Sequence, residues 1–366
     1  MLTRLIGAPD LGEDWIRAAD AHALLPVVCG ALDRADLLTT LPNSTREKLR
    51  AALIFNAHRS VALAAELSRI LAAFEETGIP ALPFKGPVLA AELYGSVSMR
   101  QFKDLDLLVP PSQVSPATEL LSQLGYAPSL LLTSRALAAL VRSRNALNFF
   151  HPDHGVTVDL QWQVTPSYFS FQLPVEELWA SRRAAAFVGR TVFAFSPEDQ
   201  LLVLCIHGAK HLWLRLGWVR DVAQLLANGM SPDWDAVLRR ANARGGKRLL
   251  GLGLYLAQEY GGATLPPEVR QYVISDGQVP RLAEEISREF WKTVPERPGI
   301  GPTSWFLLRA RERWRDRVRY CVRLASDLGP ADLQADISPR LPVVPYLLRP
   351  LRLSAKYFRG LLNKRT

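Results

Sequence analysis

The stretch Asp104-Leu105-Asp106-Leu107-Leu108-Val109-Pro110 constrains this chain most. Residues two apart in a strand share a face. As a strand, this segment sends both carboxylates to one side and Leu105 and Leu107 to the other. A Pro at its end stops further pairing. Two carboxylates held side by side repel unless a positive partner lies between them. A hard divalent cation serves, since Mg²⁺ is held by one or two carboxylates together with substrate phosphates. A bare Asp-x-Asp is also compatible with an ordinary solvated strand end, so its surroundings must decide.

The upstream unit Phe84-Lys85-Gly86-Pro87 followed by "VLAAELYG" reads as strand, glycine turn and helix. Amide groups at such a turn favour phosphate. Arg100 lies between this unit and the aspartates, and Asp159 interrupts the apolar strand "VTVDLQW". A carboxylate inside an apolar strand is costly unless paired or bound to metal.

These elements sit in a chain long enough for several lobes, with 366 residues of which 48% are hydrophobic. The expected fold class is α+β: a small mixed β-sheet core flanked by N-terminal and C-terminal helical lobes. Residues 1–78 are read as helical, with an amphipathic segment from Trp15 to Leu32. A capping box of Ser44 and Glu47 opens a helix that runs to Gly78. Residues 79–195 form the mixed core, with hairpins about Pro152–Gly155 and Gly189. Residues 196–293 form a second helical lobe whose first helix is capped by Ser196. Residues 294–366 are a linker (Val294–Ser304) and a basic tail.

The first helix of that second lobe is expected to carry "HGAKHLWLRLGWVRD" on one continuous spiral. His207, His211, Leu214, Trp218 and Asp221 would then share a face bordered by Lys210. Gly208 stands where a zinc protease needs glutamate, which excludes that class. The remaining readings are a helix packed on the sheet or a phosphate-facing wall. Asp221 would orient His211 or Arg220.

The order of an apolar strand, "KG", a helix ending in "YG", then "R...DLDLLV", "VDLQW" and "H..KH.W.RL.W..D" resembles the nucleotidyltransferase superfamily of DNA polymerase beta. It is most similar to the uncharacterised branch often called the nucleotidyltransferase 5 family. The resemblance implies a Mg²⁺-dependent transferase moving a nucleoside monophosphate from a nucleoside triphosphate such as ATP to an acceptor. Asp104, Asp106 and Asp159 would be its catalytic and metal-binding carboxylates, holding two ions. Lys85, Gly86, Arg100, His207 and Lys210 would serve the nucleotide. The acceptor class stays open among small molecule, peptide, glycan and RNA. A toxin-type enzyme acting on tRNA or RNA ends is one alternative, and a non-catalytic nucleotide-binding or membrane-associated scaffold is another. The chain departs from the family pattern at Pro87, which has no N–H for phosphate, and at Gln161, where histidine is common.

No uninterrupted apolar run reaches 18 residues, so no transmembrane segment is expected. No signal peptide is expected either, and Cys29, Cys205 and Cys321 form no metal or redox motif, which suits a cytoplasmic protein. The net charge of +9 falls in the last stretch: residues 301–366 carry 14 Lys and Arg against 5 Asp and Glu. Arginines at odd positions from Arg309 to Arg319 would stripe one helix. The segment beyond, with Arg349, Arg352, Lys356 and Arg359 among Tyr346, Tyr357 and Phe358, is read either as meeting an anionic surface, RNA or the face of a membrane, or as a strap packed on its own protein through Leu347, Leu348, Leu351 and Phe358.

Overall fold

Helical periodicity after residue 13 yields three helices: α1 (Asp14–Ala21), α2 (Leu25–Arg34) and α3 (Asn43–Glu76). The computed structural model describes residues 14–326 except 167, 168, 170, 293 and 295–297. The expected single segment from Trp15 to Leu32 is broken at Ala23, whose φ of 57° no helix accommodates. Leu25, Leu32, Leu41 and Leu49 bury together where α1 and α2 meet the start of α3. The expected capping box is not formed. The cap position falls on Pro42, two residues ahead of Ser44, and no side chain caps α3.

The core follows as β1 (Leu82–Pro83), α4 (Gly86–Tyr94), β2 (Asp104–Leu108), α5 (Val114–Gln123), β3 (Ala127–Pro128), α6 (Ser134–Ser143), β4 (Ala146–His151) and β5 (Val156–Gln161). The strands lie in the order β1-β2-β5-β4-β3. β2 and β5 run parallel and every other pair is antiparallel, so the sheet is mixed. In the parallel pair Leu105 faces Val158, Leu107 faces Leu160, and Asp106 faces Asp159. The leucine and valine side bears on Leu67, Ile70 and Phe74 of α3 and Leu121 of α5. All the carboxylates of the two strands therefore emerge on the opposite side.

The expected hairpin about Pro152–Gly155 forms between β4 and β5. After α7 (Val175–Ala180), β6 (Arg183–Phe187) and β7 (Arg190–Ala194) make a separate hairpin. Its turn residues Val188 and Gly189 have φ of 47° and 74°, the signature of a tight type I′ connection.

The second helical region comprises α8 (Pro197–Lys210), α9 (Leu216–Ala227), α10 (Trp234–Ala243), α11 (Lys247–Gly261), α12 (Pro267–Ile274), α13 (Gln278–Ser287), α14 (Ile300–Arg309) and α15 (Trp314–Ser326). Ser196 accepts from the Asp199 amide at 3.2 Å and caps α8 as expected. No helix among the described residues is long and apolar enough to cross a membrane.

Two expectations fail here for physical reasons. The break expected over Val294–Ser304 is shorter, because α14 starts at Ile300. The arginine stripes do not exist as one helix, since the chain turns between Arg309 and Trp314. Arg311 is 1% exposed, lies 4.1 Å over the Tyr320 ring and donates to the Leu307 carbonyl. Arg309 pairs with Glu285, Arg313 donates to Asn242 and Ala243, and Arg317 donates to the Arg311 carbonyl. This part of the basic segment is fastened to its own protein. The remaining tail, with Arg349, Arg352, Lys356 and Arg359, lies outside the described residues.

Candidate active site

The site begins at the junction of β1 and α4. The Phe84 amide donates to the Asp106 carbonyl at 3.2 Å, which brings the turn over the end of β2. Lys85 then adopts φ 65° and ψ −153°, a region that glycine enters freely and a residue with a Cβ does not. Gly86 follows at φ 47°, and a Cβ there would lie 3.4 Å from the Asp104 carbonyl oxygen. The strained turn points the lysine at the carboxylates. Lys85 Nζ sits 2.7 Å from Asp106 Oδ1 and 5.0 Å from the centre of the Phe84 ring.

Asp106 is buried, and Gln161 Nε2 donates to the same Oδ1 at 2.6 Å. Both donors fall on one oxygen, and neither uses Oδ2. Burial pushes the Asp106 carboxyl up to about 6, with Lys85 opposing the rise and Asp104 and Asp159 adding to it. Asp159 accepts from Asn148, its cross-strand partner on β4. Burial and the charge of Asp104 raise Asp159 above the ordinary carboxylate range, against the pull of Asn148, Lys85 and Lys210. Desolvation and mutual repulsion therefore make these carboxylates receptive to added positive charge.

The facing wall comes from α8. Val203, Ile206, His207, Lys210 and His211 join Phe84, Lys85, Val164, Gln161 and the three aspartates around a cleft of about 180 Å³. Burial holds the His207 imidazole well below its usual pKa, reinforced by Lys85, His211 and Lys210, so it is neutral. The single spiral expected from His207 to Asp221 is interrupted. α8 ends at Lys210, and Leu212 and Trp213 take φ of 58° and 53°. The Trp213 amide returns to the Gly208 carbonyl at 2.7 Å, and its ring fills the space where a Gly208 side chain would stand. Trp218 on α9 then meets His207 and His211 across the turn, with ring centres 5.2 and 5.3 Å apart. Of the five residues read as one face, His207, His211 and Trp218 meet, assembled by two helices, while Asp221 points to other partners.

Arg100 is not among the residues lining the cleft. It grips Asp221 with Nε at 3.0 Å and Nη2 at 2.8 Å, and Tyr94 donates to the same carboxylate at 2.9 Å. Asp221 thus orients neither His211 nor Arg220. It ties α4 and the segment before β2 to α9.

The structure brings Asp104, Asp106, Asp159, Lys85, His207 and Lys210 to one cleft, with Gly86 at its edge and Arg100 behind it. Two polar partners of the carboxylates were given no such role from the sequence, Gln161 having been noted only as a departure, and both roles were accessible to simple rules. Gln161 is two residues from Asp159 on a strand and so shares its face. The four-residue hairpin loop sets Asn148 opposite Asp159. Among the described residues, no group of three or more His, Cys, Asp or Glu side chains forms a metal cage by itself. The donor set nevertheless fits a hard divalent cation. Its oxygens are carboxylate, desolvated and incompletely neutralised, and such an ion takes further oxygens from water and substrate phosphate.

A sequence profile described as an uncharacterised nucleotidyltransferase matches residues 12–262. Comparison with curated proteins finds no significant sequence match. Two solved structures show a weak likeness. One is the solution structure of the antibiotic-resistance factor ANT(2'')-Ia, 16% identical, covering 56% of this chain and 95% of that one at a TM-score of 0.31. The other is a crystal structure of ANT(2'')-Ia with adenylyl-2''-tobramycin, 15% identical, covering 54% and 98% at a TM-score of 0.30. Likeness of this degree does not bear on what the chain acts upon.

Proposed function

The chain belongs to the uncharacterised nucleotidyltransferase family, so it is an enzyme of nucleotidyl transfer, and we propose that it moves a nucleoside monophosphate from a Mg²⁺-nucleoside triphosphate to an acceptor hydroxyl or phosphate in the cleft between β2, β5 and α8. The observation that carries this reading is the placement of three carboxylates and two lysines around one small cleft. Asp104, Asp106 and Asp159 would hold the divalent cation, which supplies charge neutralisation for the triphosphate and lowers the pKa of a bound hydroxyl.

The protein groups divide the remaining work. Lys85, anchored by its strained backbone, and Lys210, on the facing wall, are placed to meet triphosphate oxygens as point charges. Asp159, with its raised proton affinity, is the group suited to take the acceptor proton as the acceptor oxygen attacks the α-phosphorus and pyrophosphate leaves. Neutral His207 adds no charge to the cleft and can donate or accept one hydrogen bond. The apolar wall of Phe84, Val164, Val203 and Ile206 limits water around the reacting phosphate.

The test uses the full chain with each α-³²P-labelled nucleoside triphosphate and Mg²⁺, against separate small-molecule, RNA and protein fractions of a cell extract. Label transferred to one fraction, with pyrophosphate released in equal amount and both lost in Asp106→Asn, is the expected result. Failure of all four nucleotides to bind in the presence of Mg²⁺ overturns the reading.

A further inference from the structure

One side of α3 packs on the sheet and the first two helices, yet its other side is apolar as well. Ile54, Phe55 and Val61 are 49, 68 and 58% exposed, and Ala51, Ala62 and Ala65 are exposed beside them. The positions 51, 54, 58, 61 and 65 recur at three and four residues, which draws one continuous stripe along the helix. A monomer rarely leaves such a face to water.

The stripe is complementary to itself. In an antiparallel pair of α3 helices with a two-fold axis at His58, residues whose numbers sum to twice 58 face one another. Ala51 then faces Ala65, Ile54 faces Ala62, and Phe55 faces Val61, so larger side chains meet smaller ones near the axis. At the ends of the stripe, exposed Glu47 faces exposed Arg69 of the second copy, twice over. Arg69 already gives Nε and Nη2 to Glu66 at 3.0 and 2.6 Å, and its Nη1 is not part of that pair. In an isologous contact each residue and its opposite number are both satisfied by the same operation. We propose that the exposed face of α3 is the seam of a symmetric homodimer, paired antiparallel about His58. The cleft opens on the far side of the sheet from α3, so both copies keep it accessible.

Two measurements test this on the full chain. In sedimentation and light scattering at micromolar concentration, the protein should show twice the 40.7 kDa chain mass. Phe55→Glu and Val61→Glu should give monomers that keep the circular dichroism spectrum of the folded chain, since both side chains are exposed, and whose melting no longer rises with protein concentration. Register is tested by cross-linking in a Cys321→Ser background, because Cys29 and Cys205 are buried and Cys321 is exposed. His58→Cys should oxidise to a covalent dimer. Ile54→Cys should not cross-link to itself, since copies of that residue would be offset by about 12 Å along the helices, but it should cross-link when mixed with Ala62→Cys. A monomer at every concentration overturns the proposal, as does self-linking at position 54 without linking at 58. A dimer that survives Phe55→Glu but is lost on removing residues 327–366 overturns it in favour of a seam made by the tail.

Discussion

Replacing Arg100 with methionine tests whether this residue serves the nucleotide or the scaffold. Asp221 is 2% exposed, and its carboxylate holds three hydrogen bonds from Arg100 and one from Tyr94. Arg100→Met leaves a buried charge with only the Tyr94 hydroxyl. Removing one partner of a buried ion pair costs about 3–5 kcal/mol. The surviving tyrosine bond puts this case near the lower end, about 3 kcal/mol. Replacing both partners, as Arg100→Met with Asp221→Leu, removes the orphaned charge. The remaining loss is the tyrosine hydroxyl without its acceptor, about 1 kcal/mol. The double variant should therefore be more stable than Arg100→Met alone by about 2 kcal/mol. Urea unfolding followed by tryptophan fluorescence reads these differences, and a nucleotide titration on the same samples reads binding. Arg100 does not line the cleft, so affinity in the folded double variant should change less than about threefold. A single change costing under about 1 kcal/mol would refute the buried-pair reasoning. A tenfold or greater loss of nucleotide affinity in the folded double variant would return Arg100 to the binding site.

Three further outcomes follow from the same geometry. Gly208→Ala drives a Cβ to 2.4 Å from the Trp213 ring; overpacking of this kind costs about 1–3 kcal/mol, visible in denaturant unfolding, and should weaken nucleotide binding by moving His211. Lys85→Gly should be more stable than Lys85→Ala by about 1–3 kcal/mol, because glycine accepts φ 65°, ψ −153° and alanine does not; both should lose nucleotide affinity, and equal stability of the two would remove the claim of strain. His207 and His22 both have pKa values lowered by burial, so these two side chains bind more protons in the unfolded chain than in the folded one below about 6.5; their contribution to stability should be lost as pH drops through that value, opposed by the raised carboxyl of Asp106, and His207→Leu should shift the pH series of melting curves toward higher stability at low pH relative to neutral pH.

Much of the sheet was legible because its code is local. Alternation in "DLDLL" and "VTVDLQ" fixes which side chains share a face, and the turns at residues 152–155 and 188–189 fix two hairpins. What escaped depends on events that spacing does not record. The helix through His207 ends because Trp213 folds back onto Gly208, a packing decision made by two residues five apart. The arginines from Arg309 to Arg319 look solvent-bound as a row, yet Arg311 is drawn inward by the rings of Phe169 and Tyr320. The capping box failed because Pro42 supplied a helix start ahead of Ser44. Arg100 was read with the cleft because its number lies near the aspartates, whereas its partner Asp221 lies 121 residues away.

The direct opposition of Asp106 and Asp159 across two parallel strands has a kinetic consequence. The β4–β5 hairpin closes over a four-residue loop, but α5, β3, α6 and β4 all lie in the chain between β2 and β5. Contacts between distant segments form late because the intervening chain must first be ordered. By sequence separation this seam closes after the β4–β5 hairpin, and it is also the seam where like charges meet. A ligand that neutralises those charges binds only once the strands are side by side, so it should leave the folding rate almost untouched and slow unfolding instead. For this chain the substrate would act as a clasp on the finished sheet, lengthening the lifetime of the folded state without helping to reach it.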